Sequence, residues 1–139
     1  MRILGIDFGL KRVGLALCDA DETLASPYAT LERTTRRKLF AEIEAIAARE
    51  GIEAVVVGLP LALDGSQTES TRQARNFAES LARRLSLPVH LVDERLSSAA
   101  AEAALKETGL CSRKRKKALD SQAAALILQG FLDAKARGF

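Results

Sequence analysis

Apolar positions open the chain as two short runs rather than one long one. Ile3-Leu4-Gly5-Ile6 is continuous, as a strand buried on both faces requires, and Val13-Gly14-Leu15-Ala16-Leu17 is a second such run. The intervening Gly9-Leu10-Lys11-Arg12 reads as a turn, which predicts strands over Ile3 to Phe8 and Val13 to Cys18. Gly14, Ala16 and Cys18 give the second strand one face of small side chains, where another element can pack closely. Leu24 to Leu31 predicts a third strand, placed at a sheet edge because Pro27 cannot donate to a ladder. Thr34 or Thr35 can cap a helix running to about Glu50, with Leu39, Ile43, Ile46 and Ala47 on one stripe and Gly51 as its stop. Glu53 to Gly58 is a short β-branched strand, followed by an apolar, turn-rich loop. A helix over Glu69 to Leu85 then buries Ala74, Phe77, Ala78, Leu81 and Leu85. Pro88 to Val92 is the last strand. Ser97 or Ser98 opens a helix ending near Gly109, a basic loop follows, and Ala118 to about Lys135 forms the final helix.

Three strands followed by alternating helices and strands imply an α/β fold with one mixed sheet of five strands. An antiparallel meander opens it, parallel strands complete it, and helices cover both faces. In such sheets ligands sit beyond the carboxyl ends of the parallel strands. Asp7 ends the first strand and the pair Asp93-Glu94 ends the last, so parallel neighbours place these acids at one edge. Asp7 alone reads first as a turn cap. An ionised carboxylate in an apolar strand costs several kcal/mol unless paired, hydrogen-bonded or bound to a cation, and a second acid at the same edge makes a constellation. Alternation puts only one of Asp93 and Glu94 on the active face and leaves open which.

At 139 residues the chain is expected to be one domain, 1–139, with a real core. No run approaches the ~20 apolar residues of a membrane span, and the apolar run before Asp7 is too short for a signal peptide. Cys18, Cys111 and His90 fall short of a disulfide framework or a zinc ligand set, which fits a reducing cytoplasm. His90 reads as a structural strand residue. The net charge of +3 is local in origin. Residues 113–117, Arg-Lys-Arg-Lys-Lys, hold five of the 21 basic residues, leaving 16 against 18 acidic ones elsewhere. A local cluster of that kind needs a local reason.

On the final helix, Asp120 shares a stripe with Ala123, Ala124, Ile127 and Phe131 and therefore points inward, near a helix start where the macrodipole favours negative charge. A helix-start carboxylate without further role has the same pattern. Were this end of the helix to lie beside Asp7, three clustered carboxylates would raise one another's pKa unless a cation sat between them. Oxygen ligands without Cys or His select Mg²⁺ or Mn²⁺, one ion or two, a device suited to in-line displacement at phosphorus.

Four segments carry a family resemblance. Asp7-x-Gly9-x-x-Arg12-Val13-Gly14, Val56-Val57-Gly58-Leu59-Pro60-Leu61 with Asp64-Gly65-Ser66, Asp93-Glu94-Arg95-Leu96-Ser97-Ser98, and Lys117-x-x-Asp120-x-x-Ala123-Ala124-x-x-Ile127-Leu128 resemble, in order, the four motifs of the YqgF (RuvX) family. Ser98 stands where the family more often has Thr, and a hydroxyl is kept. The resemblance implies an RNase H-like fold related to the RuvC Holliday junction resolvases, and a metal-dependent nuclease. It implies 5′-end maturation of pre-16S ribosomal RNA, or resolution of four-way DNA junctions. It makes Asp7, Glu94 and Asp120 the catalytic and metal-holding acids, with Glu94 preferred to Asp93.

Around these acids, Arg12 in the turn could hold a phosphate, Arg95 could orient Glu94 or meet a phosphate, and Arg113, Lys114 and Lys117 could grip a backbone. Each also reads as an ordinary solvated residue. One Tyr, no Trp and five Phe leave few stacking platforms, so backbone and shape recognition are expected over base readout. The expected partners are structured RNA or branched DNA and a pre-ribosomal particle, with no membrane. The chain is expected to be a monomer or weak homodimer in the cytoplasm. Two other readings stand beside the nuclease: a nucleic-acid-binding module that does not cut, and a nucleotide-binding domain of the actin and sugar-kinase type, whose two lobes 139 residues cannot easily build.

Overall fold

The structure, a computed structural model, describes residues 1–9, 11–60, 66–93 and 112–136, and the side chains of 112–119 lie outside that description. Five strands, β1 (Ile3–Phe8), β2 (Arg12–Cys18), β3 (Ala25–Glu32), β4 (Ala54–Leu59) and β5 (Val89–Asp93), form one sheet in the order β3-β2-β1-β4-β5. The β1–β2 and β2–β3 pairs are antiparallel, whereas β4 runs parallel to β1 and β5 parallel to β4. The expected mixed sheet, with its opening meander, is present. Pro27 does lie on an edge strand, where the ladder slips between Leu15 and Ala16 and absorbs a residue that cannot donate.

Helices α1 (Arg36–Glu50) and α2 (Glu69–Leu85) follow the pattern closely. Thr35 caps α1 by accepting from the Lys38 N–H at 3.1 Å, and Gly51 closes it in the left-handed region. Thr68 and Thr71 cap α2 reciprocally, and the buried Thr71 hydroxyl also donates to the Pro60 carbonyl at 2.5 Å, tying the helix start to the end of β4.

Strand alternation divides the core. Leu4, Ile6, Val13, Leu15, Leu17, Val55 and Val57 face α1 and α2, where they meet Leu39, Ile43, Phe77 and Leu81. Ile3, Ala16, Cys18, Ala54 and Val56 face the other way, against Ala124, Ala125, Ile127, Leu128 and Leu132 of the last helix, α3 (Ser112–Ala136). The small-residue face of β2 is therefore the seat of α3.

The start of α3 corrects the sequence reading. Residues 113–117 are helical, not a loop. Lys, Arg and Ala are good helix formers, and no Gly or Pro interrupts Ser112 to Leu119, so the helix continues through the charges. Asp120 consequently lies more than two turns inside the helix, beyond the reach of the macrodipole invoked for it. The helix expected over Ser97 to Gly109 and the centre of the loop after β4 lie outside the described residues.

Candidate active site

The site is built where β1 ends. Gly5 pairs with Ala16 and Asp7 with Gly14 across the antiparallel ladder, and directly paired residues point to the same face. A Cβ placed on Gly14 would lie 1.9 Å from the Asp120 carbonyl oxygen, and one on Gly5 would lie 2.8 Å from the Leu128 Cβ. Both glycines let the α3 backbone rest directly on the sheet. Asp7 is thus the ladder neighbour of the residue on which Asp120 sits, and both carboxylates occupy the α3 face at the carboxyl end of β1. Each is partly buried.

Arg12, the first residue of β2, completes the group. Its Nε donates to Asp120 Oδ2 at 2.6 Å, a charge-assisted bond between side chains that keep 25% and 21% of their surface exposed. That bond raises the Arg12 pKa above its ordinary value, so the guanidinium stays charged. A turn holds the arginine in place: the Gly9 N–H donates to the Arg12 carbonyl at 3.0 Å, and the Arg33 guanidinium donates to the Gly9 carbonyl at 2.9 Å.

Asp93 belongs to the opposite face. It shares parity with Val89, which packs against the α1–α2 core, whereas the His90 ring lies tilted against Phe131 of α3, with 5.1 Å between centroids. Glu94 and Arg95 lie outside the described residues, as do the side chains of Arg113, Lys114 and Lys117. Among the described residues no group of three or more His, Cys, Asp or Glu is gathered closely enough to hold a metal, and Asp7 and Asp120 are acids that the β1–β2 ladder and the seat of α3 bring to one face. The donor chemistry suits a hard divalent cation, with Asp120 Oδ2 already engaged by Arg12.

Sequence reasoning missed the Arg12–Asp120 bond. It joins residues 108 positions apart, and no local periodicity encodes such a partner. It also passed over Arg33, Arg36, Arg37 and Lys38, four basic residues within six positions, which are exposed around the start of α1. Their density was the available signal.

Comparisons with known proteins bear on the whole chain. The RuvX family model, described as Holliday junction resolvase, matches residues 1–134. A curated relative from Maridesulfovibrio salexigens, named "Putative pre-16S rRNA nuclease", is 60% identical over 132 residues, covering 95% of this chain and 98% of the relative. One of the same name from Nitratidesulfovibrio vulgaris (strain Miyazaki F) is 50% identical, covering 96% and 94%. Among solved structures, Thermus thermophilus RuvC with a Holliday junction substrate superposes with a TM-score of 0.62 at 18% identity, over 98% of this chain and 96% of that one. RuvC without the junction gives 0.54 at 16% identity. The fold is RNase H-like, as the motifs implied.

Proposed function

The chain belongs to the RuvX family, and from that premise we propose that it is a divalent-metal-dependent nuclease that trims the 5′ end of pre-16S ribosomal RNA. The observation that carries this reading is the convergence of Asp7 and Asp120, from opposite ends of the chain, on one sheet face at the carboxyl end of β1. Asp93 turns to the other face, which supports the motif's preference for Glu94 as the third acid of the proposed site. Mg²⁺ or Mn²⁺, held by Asp7, Asp120 and Glu94, would supply Lewis-acid stabilisation of charge developing on a phosphodiester.

The protein's own groups have distinct parts. Asp7, set by the β1–β2 ladder, fixes one oxygen donor rigidly. Asp120, seated on Gly14, is oriented by Arg12, whose guanidinium retains further N–H donors for a substrate phosphate. Arg95, Arg113, Lys114 and Lys117 are the further residues assigned to backbone phosphates, a mode of binding whose affinity falls steeply with salt. A pre-ribosomal particle in the cytoplasm is the natural source of the substrate. No helix among the described residues is long and apolar enough to cross a membrane.

Junction resolution is the second reading, favoured by the description of the family model. One assay separates the two: Mg²⁺- or Mn²⁺-dependent cleavage of a precursor ribosomal RNA 5′-end substrate against a four-way DNA junction, with Asp7→Asn as control. The expected result is RNA cleavage abolished by Asp7→Asn while binding persists. Cutting of the junction alone would transfer the assignment to a resolvase, and binding without cutting of either would reduce it to a binding module.

A further inference from the structure

Asp7 and Phe8 are consecutive, so they face opposite sides of the sheet at the same edge. Behind Phe8, on the α1–α2 side, lies a cavity of about 180 Å³ lined by Phe8, Phe77, Leu39, Arg33, Gln73 and Asn76, among others. Two rings form its floor, Phe8 stacked on Phe77 at 4.2 Å with 17° between the planes, and Phe77 stacks in turn on the buried Phe40 at 5.4 Å. The Arg33 guanidinium lies 4.3 Å from the Phe8 ring centroid. Two bonds to the turn beside the acids hold it, one from Nη1 to the Gly9 carbonyl at 2.9 Å and one from the Arg33 backbone N–H to the Lys11 carbonyl at 3.0 Å. Arg36 closes a wall by donating to the Ser80 hydroxyl at 2.8 Å. Gln73 and Asn76, exposed and one turn apart on α2, bring two amides to the lining, the Gln73 amide also donating to the Glu69 carboxylate.

An apolar floor, a fixed guanidinium and convergent amides are what a planar, polar-edged group requires. We propose that this cavity receives one nucleobase of the strand whose phosphate lies at Asp7 and Asp120. The base stacks on Arg33 and meets the amides of Gln73 and Asn76 with its edge. Guanidinium planes stack bases as aromatic rings do, which removes the shortage of free aromatic surface that pointed to pure backbone recognition. Arg37 and Lys38, beside the cavity at the start of α1, supply positive charge for the flanking phosphates. The inference rests on the nuclease reading, because it assigns to that substrate a path across the sheet edge, over the β1–β2 turn.

The test is equilibrium binding of a short single-stranded RNA oligonucleotide of mixed sequence, followed by fluorescence anisotropy in the Asp7→Asn protein so that no strand is cut. Gln73→Ala with Asn76→Ala, both at exposed positions, is expected to weaken binding about tenfold, the scale of one or two hydrogen bonds to the base edge, with the salt slope of log K unchanged. Arg33→Lys keeps the charge, loses the plane and is expected to lose a similar factor. An otherwise identical abasic oligonucleotide is expected to bind parent and variants alike. Equal binding of the intact oligonucleotide by parent and both variants overturns the cavity's role and leaves the nuclease reading standing. Failure of the Asp7→Asn parent to bind any oligonucleotide overturns both.

Discussion

Arg12 and Asp120 are each other's strongest visible partner, and the bond sets what either can do for a substrate. A carboxylate that already accepts from a guanidinium at 2.6 Å has one oxygen committed to that bond. Both side chains keep about a fifth to a quarter of their surface in water, so solvent screens the attraction. A double-mutant cycle on Arg12→Ala and Asp120→Ala, read from urea unfolding, is expected to give a coupling of about 1 kcal/mol. Strict additivity of the two single variants would mean that the pair orders the site without stabilising the fold. Cys18 behaves differently. It is buried on the α3 face with only 2% of its surface exposed, its sulfur accepts from the Ile3 N–H at 3.2 Å, and burial pushes its pKa up. The folded pKa exceeds the unfolded one, so its contribution to stability is full below ~8.5 and is lost as pH rises through the folded value. Cys18 in the native protein is expected to resist thiol-specific alkylation at neutral pH and to react only after unfolding, as the mass of the peptide that carries Cys18 would record.

The seam between α3 and the sheet carries the site, and it is the element where sequence and structure are most instructively compared. The alternation Gly14, Ala16, Cys18 announced a close-packed face, and α3 occupies it. The stripe Asp120, Ala123, Ala124, Ile127 announced the face of α3 that turns inward, and Ala123, Ala124 and Ile127 are buried. Strand and helix identities were legible for the same reason, since each face must be apolar at a fixed period. Two things were not. The helix begins at Ser112 because propensity outlasts the charge run that resembled a loop. The facing of Asp93 needed the parity of Val89 and His90, which only the packing of β5 reveals. Glycine substitutions test the seam. Gly14→Ala would put a methyl group against the Asp120 carbonyl, and about 3 kcal/mol of destabilisation is expected, with Asp120 displaced and cleavage lost. Gly130→Ala, in α3 with open space around its Cβ position, is expected to stabilise by roughly 0.5–1 kcal/mol and to leave cleavage intact. Equal effects from the two substitutions would show that backbone contact on the sheet does not position the site.

Across the described residues, the proposed site and a fastening cluster occupy opposite ends of the sheet. The carboxyl end of β1 gathers Asp7, Arg12, Asp120 and the Phe8 cavity, all polar or open. The other end is tied shut by Glu50, the last residue of α1. It accepts from Arg2 Nη1 at 3.2 Å just before β1 and from the Tyr28 hydroxyl of β3 at 3.0 Å, with Arg49 Nε at 3.5 Å beside it. One carboxylate thus joins an edge strand, the central strand and a helix. The Tyr28 hydroxyl, then Arg2 and Arg49, hold the Glu50 carboxyl below its ordinary pKa. A depressed folded pKa stabilises above the unfolded value of ~4.3 and ceases to do so as pH falls through the folded one. Thermal melting of wild type and Glu50→Gln is therefore expected to differ at neutral pH, wild type being higher, and the difference is expected to vanish below the ordinary carboxylate range. Cleavage by Glu50→Gln, measured below its melting range, is expected to match wild type. A pH-independent gap in Tm would assign the effect to lost packing instead of lost charge. A loss of cleavage without unfolding would show that the two ends of the sheet are coupled, and that the fastening end helps to set the geometry of Asp7.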